Sequence, residues 1–140
     1  MIDWRSDRGT LSAEFSIVAT VFFVGFLVLV VFAGRAGQAS NDVRSAAHEA
    51  ARAASLAGDS GQAAAAAQAT ATANLTSAGL TCVNGSAVSV DTSDFVPGGW
   101  VTVTVTCTTP FSDLAVLNIP GSRVYSSTAT EVIDVLRSNP

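Results

Sequence analysis

FSIVATVFFVGFLVLVVFAG, residues 15–34, is a run of 20 uncharged residues bounded by Glu14 on one side and Arg35 on the other. As an α-helix rising about 1.5 Å per residue it is roughly 30 Å long, which matches the hydrocarbon core of a bilayer. Fourteen of its residues are Leu, Ile, Val or Phe. Each favours the membrane by about 0.3–0.6 kcal/mol near a helix centre, so the run favours insertion by roughly 4–8 kcal/mol. It is the one segment of this kind in the 140 residues, and it accounts for a hydrophobic fraction of 49% and a mean hydropathy of +0.43. The alternative, a core helix of a globular domain, asks the 106 residues beyond Gly34 to surround a helix that is apolar on every side.

A cleaved secretory signal has a basic leader, an apolar run of about 7–15 residues and a small-residue site on its far side. Gly37-Gln38-Ala39 offers such a site, but the run here is longer than that range. The leader also mixes Asp3 and Asp7 with Arg5 and Arg8. A more specific pattern lies on the near side of the run, where the chain reads Arg8-Gly9-Thr10-Leu11-Ser12-Ala13-Glu14-Phe15. This resembles the processing motif of type IV prepilins: a short charged leader ending in Gly, four residues, a Glu, then a long apolar helix. The nine-residue leader and the Glu14-Phe15 pair look most like the TadE and Flp branch of that superfamily.

The resemblance implies that a prepilin peptidase cuts after Gly9 on the cytoplasmic side, leaving Thr10 as the new N-terminus and the helix on the mature protein. It also implies a role for Glu14. A carboxylate in lipid costs about 2.5–3.5 kcal/mol at the helix centre and less near the interface, so it calls for a partner. In assembled pilins that partner is the N-terminal ammonium of a neighbouring subunit, here Thr10, so the cut would create the charge that Glu14 needs. Taken alone, Glu14 reads better as an ordinary first-turn acid favoured by the helix dipole; it is Gly9 at the required spacing and the apolar run behind it that favour the prepilin reading.

Positive charge does not fix the orientation, because Arg5 and Arg8 precede the run while Arg35, Arg44 and Arg52 follow it. The cysteines are more informative. Cys82 and Cys107 are the only two, both lie well beyond the run, and neither has a nearby His or a C-x-x-C pattern. A disulfide between them, closing a loop with 24 intervening residues, is expected outside the cytoplasm; the alternative is two buried free thiols.

Past Gly34 the helix is expected to continue, with Val43, Ala46, Ala47, Ala50, Ala53, Ala54 and Ala57 at spacings of three and four. Gly34 and Gly37, each less favourable than Ala in a helix by about 1 kcal/mol, mark a hinge at the exit. After Gly58-Asp59-Ser60-Gly61 a second, Ala-rich helix is predicted over 62–78, capped by Asp59 or Ser60 and stopped by Gly79.

The period then changes to two. Residues 86–96 and 100–108 read as strands joined by a Pro97-Gly98-Gly99 turn, with Val101, Val103, Val105 and Cys107 on one face and threonines on the other. A third strand is expected from Val124 to about Leu136, after a loop containing Pro110, Pro120 and Gly121. The fold class is therefore α+β: a long N-terminal transmembrane helix continuing into an Ala-rich helix, a second short helix, and a small antiparallel sheet of about three strands, as in type IV pilins. The organisation is a leader at 1–9, a transmembrane and assembly helix at 10–34, and an extracytoplasmic domain at 35–140.

The residues do not support catalysis, a metal or a cofactor. His48 is the one histidine and reads as a surface residue, and Asp91 and Asp94 fall where solvated turn acids are the default. A net charge of −4 and a pI near 4.6 argue against direct nucleic-acid binding. Major Flp pilins end soon after the helix, so a further domain of this size points to a minor, TadE- or TadF-like pilin. The resemblance implies these partners: a prepilin peptidase, other major and minor pilin subunits, the inner-membrane assembly platform of a Tad system, and membrane lipid before assembly. The chain would cross the bacterial cytoplasmic membrane once, N-terminus inside, before joining an extracellular pilus. Three other readings stay open: a pseudopilin of a type II secretion system, a domain secreted by cleavage after Ala39, and an uncleaved membrane-anchored binding domain.

Overall fold

No proline lies between residues 7 and 55, and the first helix, α1, runs without a break from Asp7 to Ser55. The computed structural model describes residues 7–114 and 120–136. Residues 1–6 of the expected leader, 115–119 of the expected Pro/Gly loop and 137–140 at the end of the domain lie outside the described residues. At about 1.5 Å per residue α1 is roughly 73 Å long, more than twice the hydrocarbon thickness of a bilayer. At the expected hinge α1 passes through Gly34 and Gly37 as continuous helix. Helical hydrogen bonding on both sides outweighs a glycine penalty of about 1 kcal/mol at each position.

The turn after α1 leads into α2 (Ser60–Ser77), whose start is a reciprocal cap. Asp59 Oδ1 accepts from Gln62 N at 2.8 Å, while Gln62 Oε1 reaches back to Gly58 N at 3.3 Å. Its end is a Schellman motif. Gly79 adopts φ +71°, Gly79 N donates to Thr76 O at 3.0 Å, and Leu80 N donates to Leu75 O at 3.0 Å. Every fourth residue of α2, Ala63, Ala67, Ala71 and Leu75, is buried. On α1, Ala46, Ala47, Ala50, Ala51 and Ala54 are fully covered, by α2 and by the sheet. Alanine at both surfaces lets two helices approach closely, and the covered position is Ala51, with Ala53 and Ala57 only half-buried.

The sheet has the order β1-β2-β3, all antiparallel, formed by β1 (Ala87–Asp94), β2 (Trp100–Pro110) and β3 (Ser122–Val132). Glycine is required in the β1–β2 turn, where Gly98 has φ +82° and a Cβ on Gly99 would collide with the Asp94 carbonyl oxygen. β2 extends beyond the expected end to Pro110, pairing through to Ser122, and β3 starts and ends earlier than expected. After Val132 the chain leaves the ladder, and Ile133 bonds instead to the turn, to Gly98 N and Gly99 O. A single helical turn, α3 (Phe111–Leu114), follows β2.

One face of the sheet carries Val101, Val103, Val105, Cys107, Tyr125 and Ala129, all buried beneath the helices. The second half of α1 packs over β3 and β2, and α2 packs over β1. The opposite face is wet and bears cross-strand hydroxyl pairs: Thr102 with Thr130 at 2.9 Å, Thr104 with Thr128 at 2.8 Å, and Thr106 with Ser126 at 2.9 Å. This α+β domain is carried at the end of α1, so that residues 15–31 project from it.

Candidate assembly site

The projecting half of α1 is almost bare. Phe15 is 75% exposed, Phe22 77% and Leu29 64%, and nothing in the most apolar window of the helix is buried. Such a surface is far larger than the apolar patches that monomers expose to water. By length and composition α1 is the one helix among the described residues able to cross a membrane. Its polar side chains suit that medium. Thr20 donates its hydroxyl to the Ser16 carbonyl at 2.7 Å, and Ser16 is itself partnered. Hydroxyls satisfied within the helix do not oppose entry into lipid.

Glu14 is different. It is exposed at the foot of the apolar run, and among the described residues it has no basic partner. Gly9 and Thr10 lie within the first turns of α1, so Thr10 sits one helical turn before Glu14 on the same strip of helix. Phe15 follows directly, projecting outward. The backbone thus places the four residues along a stretch of about 9 Å at the free end of the helix.

The connection between α2 and β1 is tied down covalently. Cys82 and Cys107 are joined by a disulfide, with Cα atoms 5.2 Å apart. Cys107 is fully buried on β2, and the Thr109 hydroxyl lies 3.6 Å from its sulfur. The bond fastens the α2–β1 connection to the sheet, and Val83 N adds a backbone bond to Thr108 O at 2.7 Å.

The remaining chemistry-bearing residues do not assemble. His48 is exposed on α1, and among the described residues no three His, Cys, Asp or Glu side chains gather as a metal site. Asp91 accepts from Ser93 N at 3.0 Å. This backbone bond, followed by one from the Ser93 side chain, holds its carboxyl below the usual carboxylate range, as in an ordinary Asx turn.

Two contacts were not read from the sequence. Phe32, in the last turn of the apolar run, meets Phe111 edge-to-face with ring centroids 6.2 Å apart. Arg123 lies 5.6 Å over the Tyr125 ring. Phe32 and Phe111 are 79 positions apart, where no short-range pattern could point, whereas Arg123 and Tyr125 are two apart on β3 and share a face by the alternation of a strand.

Residues 9–52 match the family model of TadE-like proteins. The matched stretch begins at Gly9 and holds Thr10, Glu14, Phe15, the apolar run and nearly all of the alanine stripe of α1. No curated protein and no solved structure matches the chain.

Proposed function

From the TadE-like character of residues 9–52, we propose that this chain is a minor pilin of a Tad-type pilus, made as a precursor and cleaved after Gly9. The observation that carries the reading is the pairing of an exposed, single apolar helix with an unpartnered Glu14 at its foot. In this reading residues 1–9 are the leader, 10–34 span the membrane, and 35–140 form a domain outside the cytoplasm, where the Cys82–Cys107 bond is chemically at home.

The steps follow from charge. A prepilin peptidase removes the leader and frees an ammonium at Thr10. That ammonium pairs with Glu14 of a neighbouring pilin, which removes the cost of carrying a lone carboxylate into an apolar filament core. Because Thr10 and Glu14 are four residues apart, the pair forms between helices displaced by about 6 Å along their axes. The exposed apolar side chains of residues 15–31, which lipid covers before assembly, are then covered by neighbouring helices. In this reading the chain acts by assembling rather than by turning over a substrate. Its work is in initiating, capping or adjusting the fibre, together with the Tad assembly platform.

N-terminal mass mapping of the protein made with and without its host's prepilin peptidase tests this directly. A peptide starting at Thr10 only when the peptidase is present is the expected result. A start at Ser40 would make the chain a secreted domain, and an uncut leader in both strains would make it a membrane anchor outside the pilin class.

A further inference from the structure

Asn84-Gly85 is the one asparagine–glycine pair in the chain, and it lies in the connection between α2 and β1. Cys82 to Gly85 form a β-turn in which Gly85 N donates to Cys82 O at 3.1 Å. Asn84, at the third position, has φ +61°, and Gly85 follows at φ +84°. With no positive φ at Val83 this is a type II turn, which takes Gly or Asn at its third position. Both residues are exposed, and the Asn84 side chain has no hydrogen bond among the described residues.

This pair of residues carries a chemistry of its own. The Gly85 amide nitrogen, once deprotonated, attacks the Asn84 side-chain carbonyl carbon. A five-membered succinimide forms as the C–N bond to the side-chain amide breaks and ammonia leaves. Water then opens the ring at one carbonyl or the other, giving aspartate or isoaspartate. Glycine permits the attack best, because it has no Cβ to crowd the nitrogen. The turn opposes it. In a type II turn ψ at the third position is near 0°, which holds Gly85 N about 120° away from the Asn84 side chain. Rotating it into line breaks the bond to Cys82 O.

What holds the turn is β2. Three consecutive residues of that strand grip its two sides: Ala87 pairs with Thr106, the disulfide joins Cys82 to Cys107, and Val83 N donates to Thr108 O at 2.7 Å. Cys107 is fully buried and serves as a fixed post, and Cys82 supplies the carbonyl that engages Gly85 N. We propose that Asn84 is a site of spontaneous deamidation gated by the Cys82–Cys107 bond. The site is closed while the bond holds the turn and open in chains where the bond has not formed or has been reduced. The product adds one negative charge to a chain of net charge −4. Isoaspartate also puts an extra methylene into the backbone, so Gly85 N no longer returns to Cys82 O. Deamidation thus leaves a permanent mark on chains that lacked the bond, and later oxidation meets a loop of altered geometry.

The test incubates the full chain in lipid discs in mildly alkaline buffer, oxidised and, separately, reduced. Peptide mass mapping with isoaspartyl methyltransferase labelling follows Asn84, and far-UV circular dichroism follows the fold. The reduced protein should deamidate at Asn84 at least about tenfold faster, the factor set by losing roughly one net hydrogen bond's hold on the turn. Asn41 and Asn74, fixed within α1 and α2, should stay intact in both. Equal rates with and without the bond would overturn the gate, and an intact Asn84 in the reduced protein would overturn the site. Ala67→Leu keeps the bond and the turn while weakening the domain at the buried stripe of α2, so its Asn84 rate should match the oxidised wild type. Acceleration by Ala67→Leu to the reduced rate would assign the effect to global unfolding and defeat the gate, and this arm decides the question even where reduction unfolds the domain.

Discussion

Breaking the Cys82–Cys107 bond should cost the extramembrane domain about 3.5 kcal/mol. The cross-link spans a sequence separation of 25, and loop-closure entropy for a ring of that size is about 12 cal/mol/K, or roughly 3.5 kcal/mol at 25 °C. Truncating the fully buried Cys107 to Ala adds the loss of a sulfur from the core, on the order of 1 kcal/mol. Reduction of the wild type therefore isolates the cross-link, and the Cys82→Ala, Cys107→Ala double variant measures the sum. Urea unfolding in lipid discs, followed by far-UV circular dichroism, reports on the domain, because the lipid-spanning part of α1 stays helical. With a denaturant slope of about 1–3 kcal/mol/M the midpoint should fall by roughly 1–3 M in the reduced protein. A reduced protein whose midpoint stays within about 0.3 M of the oxidised one would refute the argument. So would mass mapping of the exported protein that finds both thiols free.

Three further outcomes are expected. Glu14→Ala should leave membrane insertion unchanged and sharply lower the amount of the chain in sheared pili; normal incorporation would count against pairing with a neighbour's Thr10 ammonium. Ala67→Leu, on the fully covered α2 stripe, should overpack the helix-facing seam and cost about 1–3 kcal/mol in the same urea assay, whereas the exposed Ala65 should tolerate the change. Asp59→Ala removes the acceptor of Gln62 N and of the Gln62 side chain, both at 2.8 Å, and should cost about 1 kcal/mol, with Asp59→Ser retaining most of it.

What the sequence disclosed depended on how local the determinant was. The alternation from Val101 to Cys107 predicted both the strand and its buried face, because side chains on a pleated strand alternate whatever packs on them. The end of β2 was less visible, since Thr109 is buried and Pro110 still pairs with Ser122 although proline suggests a stop. The third strand was misplaced at both ends for a similar reason. Its N-terminal residues are fixed by pairing with β2, and its C-terminal ones are diverted to the glycine turn. On α1, spacing alone suggested Ala53, whereas Ala51 is the one fully covered, because the placement of α2 and the sheet around the helix decides which alanines are buried. The residues proposed for processing and assembly were readable as a motif, since Gly9, Thr10, Glu14 and Phe15 fall within one stretch of seven residues.

The two halves of α1 answer to different surroundings, and the family match spans both. Residues 15–34 are apolar on every side, and among the described residues none of them is buried, with Phe32 meeting Phe111 at the domain's edge. Residues 39–54 bury one stripe and leave Arg44, Glu49 and Arg52 in water. The match ends at 52 and α1 at Ser55, so what is TadE-like in this chain is the helix as a whole, with the covered sheet and its hydroxyl-bearing face outside the matched stretch. Under the proposed function this divides the labour. Recognition by the peptidase and by other pilins belongs to a helix whose free half has no partner in its own domain, while the cross-linked sheet domain holds that helix at a fixed height above the membrane. A change in the sheet should therefore alter stability or surface contacts while leaving cleavage at Gly9 untouched, and a change at Gly9 or Glu14 should alter processing or assembly while leaving the domain folded.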